Sequence, residues 1–203
     1  MSIRDVVKIP ALWLRAFRRK CQYLINRSLF ALHGVRLSGK PGVMDGIIKV
    51  RRSRKGSIFI GRGFSCNSGA SYNLISPFSS QRCVLRTIGS GRIEIGENVG
   101  ISNTCIVSAD TVVIGNNVMI GGGCRIWDTD FHPLDHKERA ASFENPGKSA
   151  PVRIMDDAFI GADCIILKGV TVGKRAVVGA GSVLRSDAGD DEVWAGNPAV
   201  RIR

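Results

Sequence analysis

The chain has 203 residues, 44% of them hydrophobic but only 6% aromatic, and a formal net charge of +12. Residues 1–55 carry fourteen Lys and Arg against Asp5 and Asp45, whereas residues 56–203 carry fifteen of each sign. The length suits one domain with an appendage, and the charge describes a neutral body behind a basic N-terminal segment that favours anionic partners.

Residues 1–33 read as a helix. Leu14, Phe17, Cys21, Leu24 and Leu32 share one apolar stripe, with Trp13 and Ile25 beside it, while Arg15, Arg18, Arg19 and Arg27 lie largely elsewhere. Charges break every apolar run, so the segment reads as neither a secretory leader nor a membrane span. Two uses stay open. The helix can cap the domain or a neighbouring subunit, or it can lie at a membrane surface with its arginines toward anionic headgroups. Nucleic acid is the weaker partner, because no stacking aromatics interleave with the basic residues.

Residues 34–57, with the cluster Arg51, Arg52, Arg54 and Lys55, read as a basic connection. Residues 58–190 read as a solenoid that begins irregularly around Ile58, Leu74 and Ile75. Ile95, Ile101 and Val107 then recur every six residues, and Ile114, Ile120 and Ile126 resume after one extra residue. Ile154, Ile160, Ile166, Val172, Val178 and Leu184 keep the interval without a break. A period of six fits neither a helix nor a half-buried strand. It fits a prism in which three such units make a coil and each coil stacks about 4.8 Å above the last. Compact residues fill the second inward slot, among them Val99, Cys105, Val118, Cys124, Ala158, Cys164, Val170, Ala176 and Ser182. The cysteines there read as small buried hydrophobes, and no spacing suggests a disulfide framework.

The repeat breaks between Ile126 and Ile154. A polar loop, 128–153, holds Asp128, Asp130, His132, Asp135, His136, Glu138 and Glu144, with Pro133, Pro146 and Pro151. A long loop on a rigid scaffold is a common place for function. Residues 191–203 form a tail with a turn at Gly196, Asn197 and Pro198.

The hexapeptide spacing, DFHPLD at 130–135, IGADCIILKGVTVG at 160–173, VVGAGSVLR at 177–185 and the ending AGNPAVRIR together resemble the left-handed β-helix acyltransferases. The likeness covers roughly residues 58–203. It is greatest to the galactoside, maltose and nodulation O-acetyltransferases, and the Asp128–His132 stretch resembles relatives from polysaccharide assembly. The resemblance implies an all-β fold, a left-handed parallel β-helix preceded by the basic amphipathic helix. It also implies a homotrimer with sites between subunits, and acetyl-CoA as acyl donor with no metal. His132 falls on the catalytic histidine. Donor-binding positions fall on Ala162, Ala180, Arg185 and Arg203.

The residues support that chemistry on their own terms. Histidine titrates near neutral pH and suits a general base for a sugar hydroxyl. Asp130, Glu138 and Glu144 are candidates to orient His132. Asn103, Trp127 and Asp128 are candidates for the same task or for contact with the carbohydrate acceptor. Gly161, Ala162, Ala180 and Gly181 offer a ledge free of bulky side chains for a pantetheine arm. Lys168, Arg185, Arg201 and Arg203 offer charge-assisted donors to nucleotide phosphates. Three functions follow: O-acetylation of a sugar in a surface-polysaccharide or lipopolysaccharide intermediate, N-acetylation of an amino sugar, nucleotide-linked or not, or a non-catalytic scaffold. The expected location is the cytoplasm, with peripheral contact at the inner membrane face through residues 1–33.

Overall fold

A computed structural model describes residues 3–69, 72, 81–142, 145 and 147–203. Strands of two to four residues run round three faces, and each strand lies parallel to its equivalent one coil away. The first face holds β1 (Arg36–Leu37), β4 (Ser57–Ile60), β7 (Arg92–Ile95), β10 (Thr111–Ile114), β13 (Val152–Ile154) and β16 (Thr171–Val172). The second holds β2 (Met44–Gly46), β5 (Ser65–Ser68), β8 (Gly100–Ser102), β11 (Met119–Gly122), β14 (Phe159–Ile160), β17 (Val177–Val178) and β19 (Val193–Gly196). The third holds β3 (Lys49–Arg51), β6 (Val84–Thr87), β9 (Cys105–Ser108), β12 (Arg125–Trp127), β15 (Ile165–Ile166) and β18 (Val183–Leu184). The last strand, β20 (Ala199–Arg201), turns back antiparallel on β19.

The period of six is the geometry of this prism. Ile114, Ile120, Ile126, Ile154, Ile160, Ile166, Val172, Val178 and Leu184 all point inward with at most 3% exposure. Corners need left-handed backbone, which costs an L-residue least when it is Asn or Asp. Asn98, Asn117, Asp157, Arg175 and Asp191 supply it between the first and second faces. The amides there form a ladder: Asn98 Nδ2 donates to Asn117 Oδ1 at 3.3 Å, and Asn117 Nδ2 to Asp157 Oδ1 at 3.0 Å.

Two expectations change. The segment 34–57 is already the first coil, because β1, β2 and β3 each pair with the strand below. In the third face the inward residue is Ile106, paired with Ile126, and not Val107. Thr104 fills the compact slot, and Cys105 faces outward beside Arg125. The coil closes one residue early at Asn103, a corner residue with φ 43°. Cys124 and Cys164 do sit in the core, where their thiols donate to Gly161 O and Gly179 O, each at 3.0 Å. Hydrogen bonding to Cys164 and burial push the Cys124 thiol up, which leaves it unreactive. Leu74 and Ile75 lie outside the described residues.

Helix α1 (Ile3–Leu32) closes the first coil, but with a largely polar face. An end coil exposes strand groups that no neighbouring strand can satisfy. Asn26, fully buried, donates to Gly46 O at 2.8 Å and accepts from Ile48 N at 3.0 Å. Gln22 accepts from Gly46 N, and Arg19 forks onto Asp45 at 2.7 and 2.8 Å. Phe30 enters the core beneath them. The predicted apolar stripe is left outside: Trp13, Leu14, Phe17 and Leu32 are 74%, 69%, 66% and 80% exposed.

Candidate active site

The interruption of the repeat leaves the prism between the third and first faces. Its two ends are zipped together. Asp130 N donates to Lys148 O at 3.1 Å, Ala150 N to Asp128 O at 2.9 Å, and Thr129 bridges Ser149. A short helix, α2 (His136–Ala141), tops the loop, its N-terminus capped by Asp135 through Lys137 N and Glu138 N. Arg139 Nη1 donates to Pro133 O and Leu134 O at 2.8 and 2.6 Å, fixing the chain just after His132.

His132 is held by its neighbours on both sides. Phe131 takes φ +64°, unusual for a bulky residue and a mark of backbone strain beside His132. Its ring meets Trp127 edge-on, with centroids 5.5 Å apart. Pro133 is buried, whereas the His132 side chain is exposed. Behind it, a Cβ on Gly147, itself at φ +71°, would stand 2.5 Å from His132 O, so only glycine fits.

The candidate carboxylates separate by place. Asp128, fully buried, is spent on the preceding coil: it takes Ser108 Oγ at 2.6 Å, Ala109 N at 2.7 Å and Asp110 N at 3.0 Å. It pins the loop's base rather than facing an acceptor or the His132 ring. Asp130 lies 3.1 Å from Lys168 Nζ, an ion pair that ties the loop to a late coil. Glu138 is exposed on α2 and lines a hollow of about 350 Å³ with Asp130 and Leu134. Neither Asp130 nor Glu138 bonds the His132 ring, and Glu144 lies outside the described residues. Asn103 is 2% exposed; its Oδ1 accepts from Gly69 N at 2.7 Å, and its Nδ2 has no partner among the described residues.

The donor candidates fall into three groups. Gly161, Ala162, Ala180 and Gly181 share the corner between the second and third faces, where Gly181 N donates to Ala162 O at 2.7 Å. A Cβ on Gly161 would come within 2.5 Å of Ala180 N, while one on Gly181 would meet nothing within 4 Å. This edge is a ledge of backbone that fits a thin, amide-bearing arm. Lys168 and Arg185 follow the third face at the opposite corner, with Arg185 exposed. Arg201 pairs with Glu192 at 3.1 Å, and Arg203 is exposed on the tail. One chain therefore does not gather all of them round His132.

This architecture is a left-handed parallel β-helix of hexapeptide repeats, interrupted between β12 and β13 by the loop that carries His132. A family model described as the hexapeptide repeat of succinyl-transferase matches residues 151–186. A hexapeptide-repeat-containing acetyltransferase from Vibrio cholerae superposes with a TM-score of 0.56 at 26% identity, covering 97% of this chain and 92% of that one. The galactoside O-acetyltransferase of Escherichia coli is 37% identical over 112 residues, 55% of this chain and 53% of that protein. A putative acetyltransferase of Schizosaccharomyces pombe is 38% identical over 101 residues, 50% of this chain and 47% of that protein. The chain thus spans about half the length of the curated relatives it matches, and those relatives are acetyltransferases.

Proposed function

We propose that the chain is an acetyl-CoA-dependent O-acetyltransferase for a sugar hydroxyl of a surface-polysaccharide or lipopolysaccharide intermediate. The observation that carries this is His132, exposed on a strained, zipped loop that leaves a solenoid whose relatives are acetyltransferases. His132 takes the proton from the acceptor hydroxyl as its oxygen bonds to the thioester carbonyl carbon. The C–S bond breaks, and the proton passes to the departing sulfur. Backbone N–H groups at a corner suit the carbonyl oxygen as charge develops on it. Free-thiol release from acetyl-CoA, with a panel of sugars and amino sugars, tests the reading. Acceptor-dependent release supports it, and acetylation of amines alone would replace it with N-acetylation.

The working form is a homotrimer. The His132 ring has no hydrogen-bond partner among the described residues of its own chain, and the donor candidates lie on more than one edge. The second face supplies a contact surface suited to a neighbouring subunit: β8, β11, β14 and β17 carry no charge, and Met119 and Phe159 are exposed. Replacing Gly147 with alanine should displace His132 and lower turnover by about 100-fold while acetyl-CoA still binds. Unchanged turnover in that variant would show that the Gly147–His132 contact is not required.

Helix α1 supports a seat at a membrane surface. No helix among the described residues is long and apolar enough to cross one. The outward stripe of Trp13, Leu14 and Phe17 is flanked by exposed Arg15, Arg18 and Lys20, the pattern of an interfacial helix at anionic lipid. The expected seat is the inner membrane face. In flotation, the full chain should rise with vesicles containing phosphatidylglycerol, and a Leu14→Asp/Phe17→Asp variant should stay behind. Equal recovery of the two proteins would remove the membrane role.

A further inference from the structure

The third face carries a charge pattern that acetyl transfer to a neutral sugar does not need. Its six strands contain no Asp or Glu. Along β3, β6, β9 and β12, Lys49, Val84, Cys105 and Arg125 share one outward rung. Arg51, Arg86, Val107 and Trp127 share the next outward rung. Lys49, Arg51, Arg86 and Arg125 are all exposed, and none has an ion-pair partner among the described residues.

These cations line a groove. One hollow of about 300 Å³ is walled by Lys49, Arg82, Asn103, Cys105, Arg125 and Trp127. A second, of about 540 Å³, shares Lys49 and Val84 with the first and runs past Arg51 and Arg86 to Leu29 of α1. Burial pushes the Cys105 thiol up against the opposing pull of Arg125 and Arg86, and Arg125 is its neighbour on the next strand. The buried Nδ2 of Asn103 has no acceptor among the described residues. Trp127 connects the groove to the loop, because its ring packs on Phe131, next to His132.

From Arg125 on β12 to Lys49 on β3 is three strand spacings, about 14 Å. A single carboxylate meets one guanidinium, whereas a phosphodiester or diphosphate presents several oxygens to several donors. We propose that this groove reads the phosphate of the acceptor. The acceptor would then be a glycosyl phosphate, its phosphoryl oxygens held by Arg86, Arg125 and Lys49 and its sugar against Trp127, beside His132. The inference rests on the acetyltransferase reading and adds the acceptor's class. The carrier beyond the phosphate is a nucleoside or a lipid, and the groove's approach to α1 suits a lipid.

Binding is measured by calorimetry on the full chain without acetyl-CoA, so the result is legible whether or not transfer occurs. The ligands are UDP-glucose, glucose 1-phosphate and farnesyl diphosphoglucose, with methyl glucoside and glucuronate as neutral and carboxylate controls. The phosphorylated ligands should bind more tightly than either control, and added salt should weaken them. Arg86→Gln and Arg125→Gln should each weaken them about tenfold. Acetyl-CoA affinity and melting temperature should hold, since the replaced side chains are exposed. A preference between UDP-glucose and the prenyl compound names the carrier. Glucose 1-phosphate binding no better than methyl glucoside or glucuronate would overturn the proposal. So would an equal loss of acetyl-CoA affinity in the variants, which would assign the groove to the coenzyme's own phosphates.

Discussion

Replacing His132 with alanine is expected to lower acceptor-dependent thiol release by about 10²–10⁴-fold, the usual contribution of a positioned general base. The side chain is exposed and makes no hydrogen bond among the described residues, so its loss should leave the melting temperature within a degree or two. Affinity for acetyl-CoA should also hold, because the ledge at Ala162 and Ala180 is built from backbone at a separate corner. The expected pattern is a fall in kcat with little change in KM for the donor, which marks a group acting in the transition state. His132→Gln should be nearly as slow, since an amide can hydrogen-bond but cannot accept the proton. Full turnover by the alanine variant would remove His132 from the chemistry, and the neighbouring His136 on α2 would be the next base to test.

The solenoid was legible because its interior leaves so little choice. Each coil offers narrow inward slots, and an aliphatic residue every six positions is the direct trace of that constraint. The trace fails where another force sets the sequence. In the first coil, Lys49 and Arg51 stand on either side of buried Val50, and the spacing to the next inward residues is irregular, so the strands look like a charged linker. At Asn103 one residue is missing from the corner, and both Val107 and Ile106 are suitable aliphatics; only the pairing of Ile106 with Ile126 decides between them. In α1 the apolar stripe and the docking face are different faces of the helix. The end coil needed hydrogen-bond partners for Gly46 and Ile48, and Gln22 and Asn26 supply them. Hydrophobic periodicity carries no signal for such a need.

The candidate site divides along the same line. His132 stood out as a candidate from the broken repeat, the acidic residues around it and the matching motif. The basic groove was not, because Lys49, Arg86 and Arg125 are far apart in sequence and meet only through the stacking of coils. A search for cations on equivalent outward rungs, once the register was known, would have found them.

Asp128 shows how an ionisable residue beside a catalytic candidate can serve the fold instead. Its carboxylate receives a hydroxyl and two backbone N–H groups from residues 108–110 at the corner of the coil above. Asp128→Ala would leave all three donors without their acceptor in a site with no solvent exposure. Bonds to a charged acceptor contribute more than neutral ones, and stranded donors retain their desolvation cost. The expected loss is therefore about 3 kcal/mol or more. For a chain of this size that is a fall in melting temperature of roughly 6–12 °C. Asp128→Asn should fall between the two, because it keeps one acceptor oxygen but turns an NH₂ toward at least one donor. Hydrogen exchange gives the sharper reading: the amides of Ala109 and Asp110 should lose protection before those of the late coils, where the Ile154–Leu184 repeat is untouched. Activity should fall as well, through the loosened base on which His132 is carried. The position also separates support from chemistry. If Asp128→Ala melted like the parent yet lost all turnover, the carboxylate would belong to the reaction after all, and its three donors would have to be satisfied by water. If the variant unfolds early and regains turnover when assayed well below its melting temperature, Asp128 is the fastening of the loop, and the proton transfer belongs to His132 alone.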